Sequence, residues 1–320
     1  QTGEARIGLR VAAALWMFWY TRGYATEGRS HLSSLLALPA AARQSPERGR
    51  ALLAAGQLAR AQGDYPAAAA AMSESVAIYR RVDDPGGLAG ALLGSAFVAR
   101  MKEQHAVAMG LLREGLPLAR CAGDQHVVAA TLHHLGMIEA ETGADADIVR
   151  GHLEEGLELY RGTESPRFVG LILATLASVE LSADNLDRAR ELSRQSLEAL
   201  GAGGDTLEIH WALDEISHLL HREEKPEAAV RLAGAAAAMR EAIGVTTSPV
   251  STRRRAQMLE EAGQALGDTG FEAGWSQGRA MSHAEALEAG AASVSGADVR
   301  GGSTEPRRHR GSHVDQDVDI

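Results

Sequence analysis

Two columns of small or aliphatic residues recur through this chain at intervals of forty, and that spacing limits the fold more than any other feature. One column runs Gly28, Ala68, Ala108, Val149, Ala189 and Ala229, with steps of 40, 40, 41, 40 and 40. The other runs Gly56, Ala96, Gly136, Ala177 and Ser217, with steps of 40, 40, 41 and 40. Both take their one extra residue at the Thr142-Gly143-Ala144-Asp145-Ala146-Asp147 turn, where an insertion costs least. Longer segments keep the same phase: Met72 to Tyr79 and Leu153 to Tyr160 are near-copies, with Leu112-Arg113-Glu114-Gly115-Leu116 between them. Self-similarity at this period marks an array of stacked units, each too small to bury its own apolar face.

Each unit reads as two helices. Leu52, Ala55, Gly56, Leu58 and Ala59 form a stripe of helical period, Gln62-Gly63-Asp64-Tyr65-Pro66 interrupts it, and a second helical pattern covers Ala67 to Arg81. Helix starts are expected at Ser45-Pro46, Asp84-Pro85, Asp124, Ser165-Pro166 and Asp205, where a short side-chain oxygen caps free amides and proline fits the first turn. Small residues at the inner positions let antiparallel helices approach closely. The expected fold is all-α, a right-handed α-solenoid of about six helix pairs. Its expected organisation is an N-terminal capping pair over 1–44, the repeat array over 45–244, capping helices over 245–294 and a disordered tail over 295–320. That tail is Gly, Ser, Arg, His and Asp with almost no large apolar residue, so burial cannot offset its ordering entropy.

Gly63-Asp64-Tyr65 before an alanine-rich second helix, together with the small residue in the first helix of each unit, resembles tetratricopeptide repeats lengthened from about 34 to about 40 residues. Glu103-Gln104-His105, Asp184-Asn185-Leu186 and Glu224-Lys225-Pro226 replace that turn in later units, so irregular pairs are expected there. The order Leu15-Trp16-Met17-Phe18-Trp19, then the repeats, then Leu266 to Arg279 and Ala284-Glu285-Ala286, is similar to the C-terminal region of large bacterial ATP-binding regulators. In that family an NB-ARC-like ATPase module precedes the repeats, and a LuxR-type or SARP-type DNA-binding domain sits at one end. The resemblance implies a non-enzymatic sensor or protein-interaction region that binds a partner, peptide or small effector in its concave groove and controls an upstream ATPase. The alternative is a free-standing scaffold that holds partner proteins.

Composition narrows the function further. Lys plus Arg is 32 against 42 Asp plus Glu, a net charge of −10, which argues against a surface that wraps nucleic acid or coats an anionic membrane. Only Lys102 and Lys225 occur, and neither completes a phosphate-binding G-x-x-x-x-G-K-[ST] loop, so any ATPase belongs to sequence upstream of Gln1. No cofactor is expected in this segment. A single cysteine, Cys121, rules out an internal disulfide and fits a reducing, cytoplasmic setting. The apolar run Val11 to Tyr20 is about half the ~20 residues a membrane-spanning helix needs. Its aromatics Trp16, Phe18, Trp19 and Tyr20 suit a capping helix packed against an upstream domain.

The resemblance places ligand contacts on the concave face of each first helix. Projected from the small column, these are Gln57, Arg60, Phe97, Arg100, His133, Met137, Glu141, Ser178, Trp211, Asp214, His218 and His221. Two arginines, aromatics and imidazoles suit an anionic or peptide-like ligand. A metal-dependent enzyme is the remaining alternative: His218 and His221 fall about 80° and about 20° around the helix from His210, with Asp214 on the same face. Cys121 with His126, His133 and His134 reads as helix packing and surface titration, and Arg253-Arg254-Arg255 as a solvated helix start.

Overall fold

Alanine-rich segments broken at a fixed interval by a capped turn fold here as antiparallel helix pairs. The structure is a computed structural model that describes residues 2–162, 166–202 and 208–295. The expected tail beyond 295 and the expected caps Ser165 and Asp205 lie outside the described residues. Five pairs form the array: α4 (Pro46–Ala61) with α5 (Tyr65–Val82), α6 (Pro85–Met101) with α7 (His105–Ala122), and α8 (Gln125–Glu141) with α9 (Ala146–Arg161). They continue as α10 (Pro166–Ser182) with α11 (Leu186–Ala202) and α12 (Ile209–Arg222) with α13 (Pro226–Ile243). Before them α1 (Thr2–Ala14) and α2 (Trp16–Thr21) stand opposite α3 (Ala25–Leu36), which makes a sixth pair. After them come α14 (Pro249–Arg279) and α15 (His283–Val294). The fold is the expected right-handed α-solenoid.

The two sequence columns are where the helices of a pair meet. Ala96, Ala177 and Ser217 are buried on the first helices, and Ala68, Ala108, Val149, Ala189 and Ala229 on the second. Gly56 and Gly136 have no room for a side chain: a Cβ would stand 2.9 Å from Met72 Cγ and 2.7 Å from Leu153 Cγ. Ser45, Asp64, Asp84 and Asp124 accept hydrogen bonds from backbone amides at helix starts.

The expected irregularity of the later pairs is not found. A left-handed residue closes the turn within each pair at Gly23, Gly63, Glu103, Gly143, Asp184 and Glu224, and its φ stays between 56° and 76° whether or not the residue is glycine. Pairing of whole helices outweighs the cost of about 1 kcal/mol that a side chain pays there. The extra residue of the third turn is also located. Elsewhere the left-handed residue directly precedes the helix-capping position, as Gly63 precedes Asp64, whereas Ala144 separates Gly143 from the cap Asp145.

The array curls until distant units touch across its axis. Arg167 at the start of α10 approaches Met17 Sδ at 3.9 Å and lies 5.8 Å from the Tyr20 ring centroid. The segment between α13 and α14 then crosses the concave side. Thr246 bonds Tyr65 Oη at 2.5 Å and Ser248 donates to Glu141 at 2.9 Å. Arg253 donates to Glu103 at 2.6 Å, and Arg254 to Ser178 at 2.5 Å and to Glu215 at 3.0 Å. Of Arg253-Arg254-Arg255, only Arg253 is exposed as a solvated helix start would be. Arg254 and Arg255 are half-buried, because Arg254 pairs with Glu215 on the inner wall and Arg255 with the buried Asp214. No described helix is long and apolar enough to cross a membrane.

Candidate functional site

Curling brings the inner faces of successive first helices round a common chamber of about 270 Å3. Each helix contributes at the same phase, because the forty-residue period repeats the exposed register as well as the buried one. Gln57 and Arg60 come from α4, Phe97 and Arg100 from α6, His133 and Met137 from α8, and Trp211 from α12. A neighbouring cavity of about 370 Å3 shares Arg100, Met137 and Trp211 with the first and adds Glu141 and Ser178. Nine of the twelve concave-face residues thus line two adjoining spaces.

The other three do not. Asp214 is buried and accepts from Arg240 and, at 3.2 Å, from Arg255. His218 is buried, and His221 bonds Glu261 of α14 at 2.8 Å. Asp214 and His221 are answered from α14, which lies along the last pair, α12 with α13. The His210, His218, His221 and Asp214 face is not assembled as a ligand set, and among the described residues no group of three or more His, Cys, Asp or Glu is placed to hold a metal. His210 is fully buried in the helix bundle with neither ring nitrogen hydrogen-bonded, and burial with Arg240 nearby lowers its pKa to about 3.

Local sequence did not reveal several chamber residues. Trp16, Met17 and Tyr20 arrive from α2, Arg167, Phe168 and Thr175 from α10, and Val245, Thr246 and Ser248 from the crossing segment. The N-terminal aromatics therefore divide. Trp16 and Tyr20 face the chamber, Trp19 is buried beside Gly28, where a Cβ would stand 2.6 Å from the indole, and Phe18 is 50% exposed. His126 and His134 also line the space; His126 meets Tyr160 and Phe168 edge-on, and Cys121 is exposed.

The chamber's chemistry is cationic and aromatic. Arg100 forms a two-point pair with Glu141 at 2.9 and 2.5 Å, and Arg167 pairs with Glu208. Arg60 lies 4.3 Å above the Phe97 ring and donates Nε–H to Gln57 at 2.9 Å. His133 bonds Thr175 at 2.9 Å, and burial together with Arg100 lowers its pKa to about 3. Burial, His133 and the arginines hold His134 far below the usual histidine range. Both imidazoles are neutral at physiological pH, so surface titration does not describe them; they offer hydrogen bonds, not charge.

No family model and no curated protein matches the chain. Solved structures do. RapI in its apo form superposes with a TM-score of 0.56 at 14% identity, over 80% of this chain and 97% of that one. A Rap protein complexed with Competence and Sporulation Factor superposes with a TM-score of 0.57 at 13% identity, over 78% of this chain and 74% of that one. At such identities the likeness is one of fold: a tetratricopeptide-like helical-repeat solenoid. Neither similarity extends to an ATPase or DNA-binding context.

Proposed function

We propose that this chain is a non-catalytic interaction scaffold that takes a peptide segment, or an extended segment of a protein partner, into its curled inner wall. The observation that carries this reading is the chamber itself. Consecutive first helices each present polar and aromatic side chains to one shared, partly open space, whereas apolar residues of the pairs are spent on stacking. The Rap structure that holds Competence and Sporulation Factor supports a ligand of the same kind for this fold. A volume of about 270 Å3 sits at the lower edge of the usual ligand-pocket range, so it receives one or two side chains of a longer segment.

The test is a library of short peptides screened against the purified chain, followed by hydrogen exchange on the best binders. Protection is expected on α4, α6 and α8 facing the chamber. Protection confined to the outer helices α5, α7 and α9, or a library without binders, would end this reading.

One observation favours a second reading, that the solenoid serves as the sensor of an ATP-dependent transcriptional regulator. Ile7, Val11, Leu15 and Phe18 are 60%, 53%, 41% and 50% exposed and fall on one side of α1 and α2. That stripe is where an upstream ATPase module would dock. In a chain carrying such a module, Val11→Asp is expected to alter ATP turnover; unchanged turnover would sink the second reading.

A further inference from the structure

One short stretch of chain touches every pair of the array. Between α13 and the first turns of α14, Thr246 bonds Tyr65 Oη of the first pair at 2.5 Å, and Arg253 donates to Glu103 in the turn of the second at 2.6 Å. Ser248 donates to Glu141 of the third pair at 2.9 Å, and Arg254 to Ser178 of the fourth at 2.5 Å. Arg254 and Arg255 then pair with Glu215 and Asp214 of the fifth, at 3.0 and 3.2 Å. Stacking joins each pair to its neighbours, whereas this segment joins all five at once and so acts on the sum of their rotations, the curl.

Polar contacts, not apolar burial, fasten it. Among residues 245–255 only Ser248 is buried, and Val245 and Val250 are half-buried. Arg253 and Glu103 are 64% and 43% exposed, a pair that solvent and salt weaken. The helix pairs rest instead on buried apolar clusters, so the segment belongs to the low-stability end of the fold and can leave while the pairs stay formed. Its ends suit that motion. Gly244 takes a left-handed φ of 66° at the close of α13, where a change of backbone angle costs little. On the far side α14 is anchored by buried Met258 and by the close approach of Gly278 to Arg231.

The segment also lies where a ligand would enter. Val245, Thr246 and Ser248 line the chamber, and Val250, Ser251 and Arg254 line the adjoining cavity. A partner that brings more than one or two side chains has to share the inner wall with it.

We propose that residues 245–255 are a strap that sets the curl of the array and covers its inner wall, and that release of its ion pairs opens both cavities together. As a control on ligand entry this rests on the interaction-scaffold reading; as a control on the shape of the array it stands apart from it.

The experiment compares the full chain with two variants. Arg253→Gln with Arg254→Gln removes two of the strap's charges. Arg254→Gln with Glu215→Gln leaves neither member of that pair charged, so it serves if the first variant folds poorly, which circular dichroism checks. Acrylamide quenching of tryptophan reads access to the inner wall, since Trp16 and Trp211 line the cavities and Trp19 is buried; Trp275→Phe in every chain removes the remaining indole. X-ray scattering reads the curl. Released chains should quench more strongly and show a larger radius of gyration. Hydrogen exchange should quicken about tenfold on residues 245–255 and on the last turns of α6 and α8, the worth of a charged hydrogen bond, and stay unchanged on α7, α9 and α11. The parent in about 1 M salt, where charges act over about 3 Å, should shift in the same direction. Library peptides should bind the released chain about tenfold more tightly, because a closed strap lowers the fraction of chains able to bind. The proposal is overturned if folded variants quench and scatter like the parent, or if exchange quickens equally on the outer helices. Open cavities with unchanged peptide affinity would overturn the strap's control of entry. A library without binders ends the scaffold reading alone, and quenching and scattering still judge the strap.

Discussion

Mild acid should unfold this protein through two histidines that never reach its surface. His210 is 0% exposed and His218 is 9% exposed. Burial is the first cause of both depressed pKa values, about 3 and about 2; Arg240 and Arg255 reinforce it at His210, and Arg254, Arg255 and His221 at His218. In the unfolded chain both return to about 6.5. Below that pH the unfolded state binds protons that the folded state refuses, so stability is intact above pH 6.5 and falls as pH drops toward the folded values. At pH 5 the loss is about 2 kcal/mol for each, or about 4 kcal/mol from this pair, a large share of a typical 5–15 kcal/mol, and His133 and His134 of the chamber, depressed by burial in the same way, add to it. Glu215, whose pKa is raised by burial, works in the opposite direction. Glu180 and Glu241, with lowered values, respond only at pH below about 4.5. Urea unfolding measured from pH 7.5 to pH 5 reads the slope. His210→Leu should change stability little at pH 7.5, because it removes two unbonded nitrogens, yet it should recover about 2 kcal/mol at pH 5. A flat profile between pH 6.5 and 5, or a His210→Leu slope equal to the parent's, would refute the reasoning.

Three further outcomes rest on other parts of the fold. Glu224→Gly should stabilise by about 0.5–1 kcal/mol in thermal unfolding, because Glu224 holds a φ of 59° that glycine adopts freely; no gain would mean the turn is not strained. Gly278→Ala should destabilise by about 3 kcal/mol or more, since a Cβ there would stand 1.9 Å from the Arg231 carbonyl oxygen and force α13 and α14 apart; a normal melting temperature would contradict the close approach. Arg254→Ala strands Glu215 on the inner wall and should cost about 2 kcal/mol, which Glu215→Gln in the same chain partly restores; simple additivity of the two changes would show that the pair does not hold the crossing segment.

The forty-residue phase, the small columns and the single inserted residue were all legible in the chain, because helix stacking is a local matter repeated at a fixed interval. Gly56, Ala96, Gly136, Ala177 and Ser217 needed only their spacing to be placed inside. The same phase selected Arg60 and Arg100. Turn geometry was less legible, since Glu103, Asp184 and Glu224 accept a backbone shape that their residue type disfavours once both flanking helices are packed. The curl of the array was not legible at all. Small rotations between units add up along the chain, and only their sum brings Arg167 to Met17 and Thr246 to Tyr65. That sum turned an open wall into a chamber and drew Arg254 and Arg255 inward. It also hid Asp214 and His218 in the last helix pair. Spacing alone placed the small columns between the helices of each pair, because that depends on neighbours within one unit; tertiary structure decided which of the other residues line the chamber and what each meets there, because that depends on units far apart in the chain.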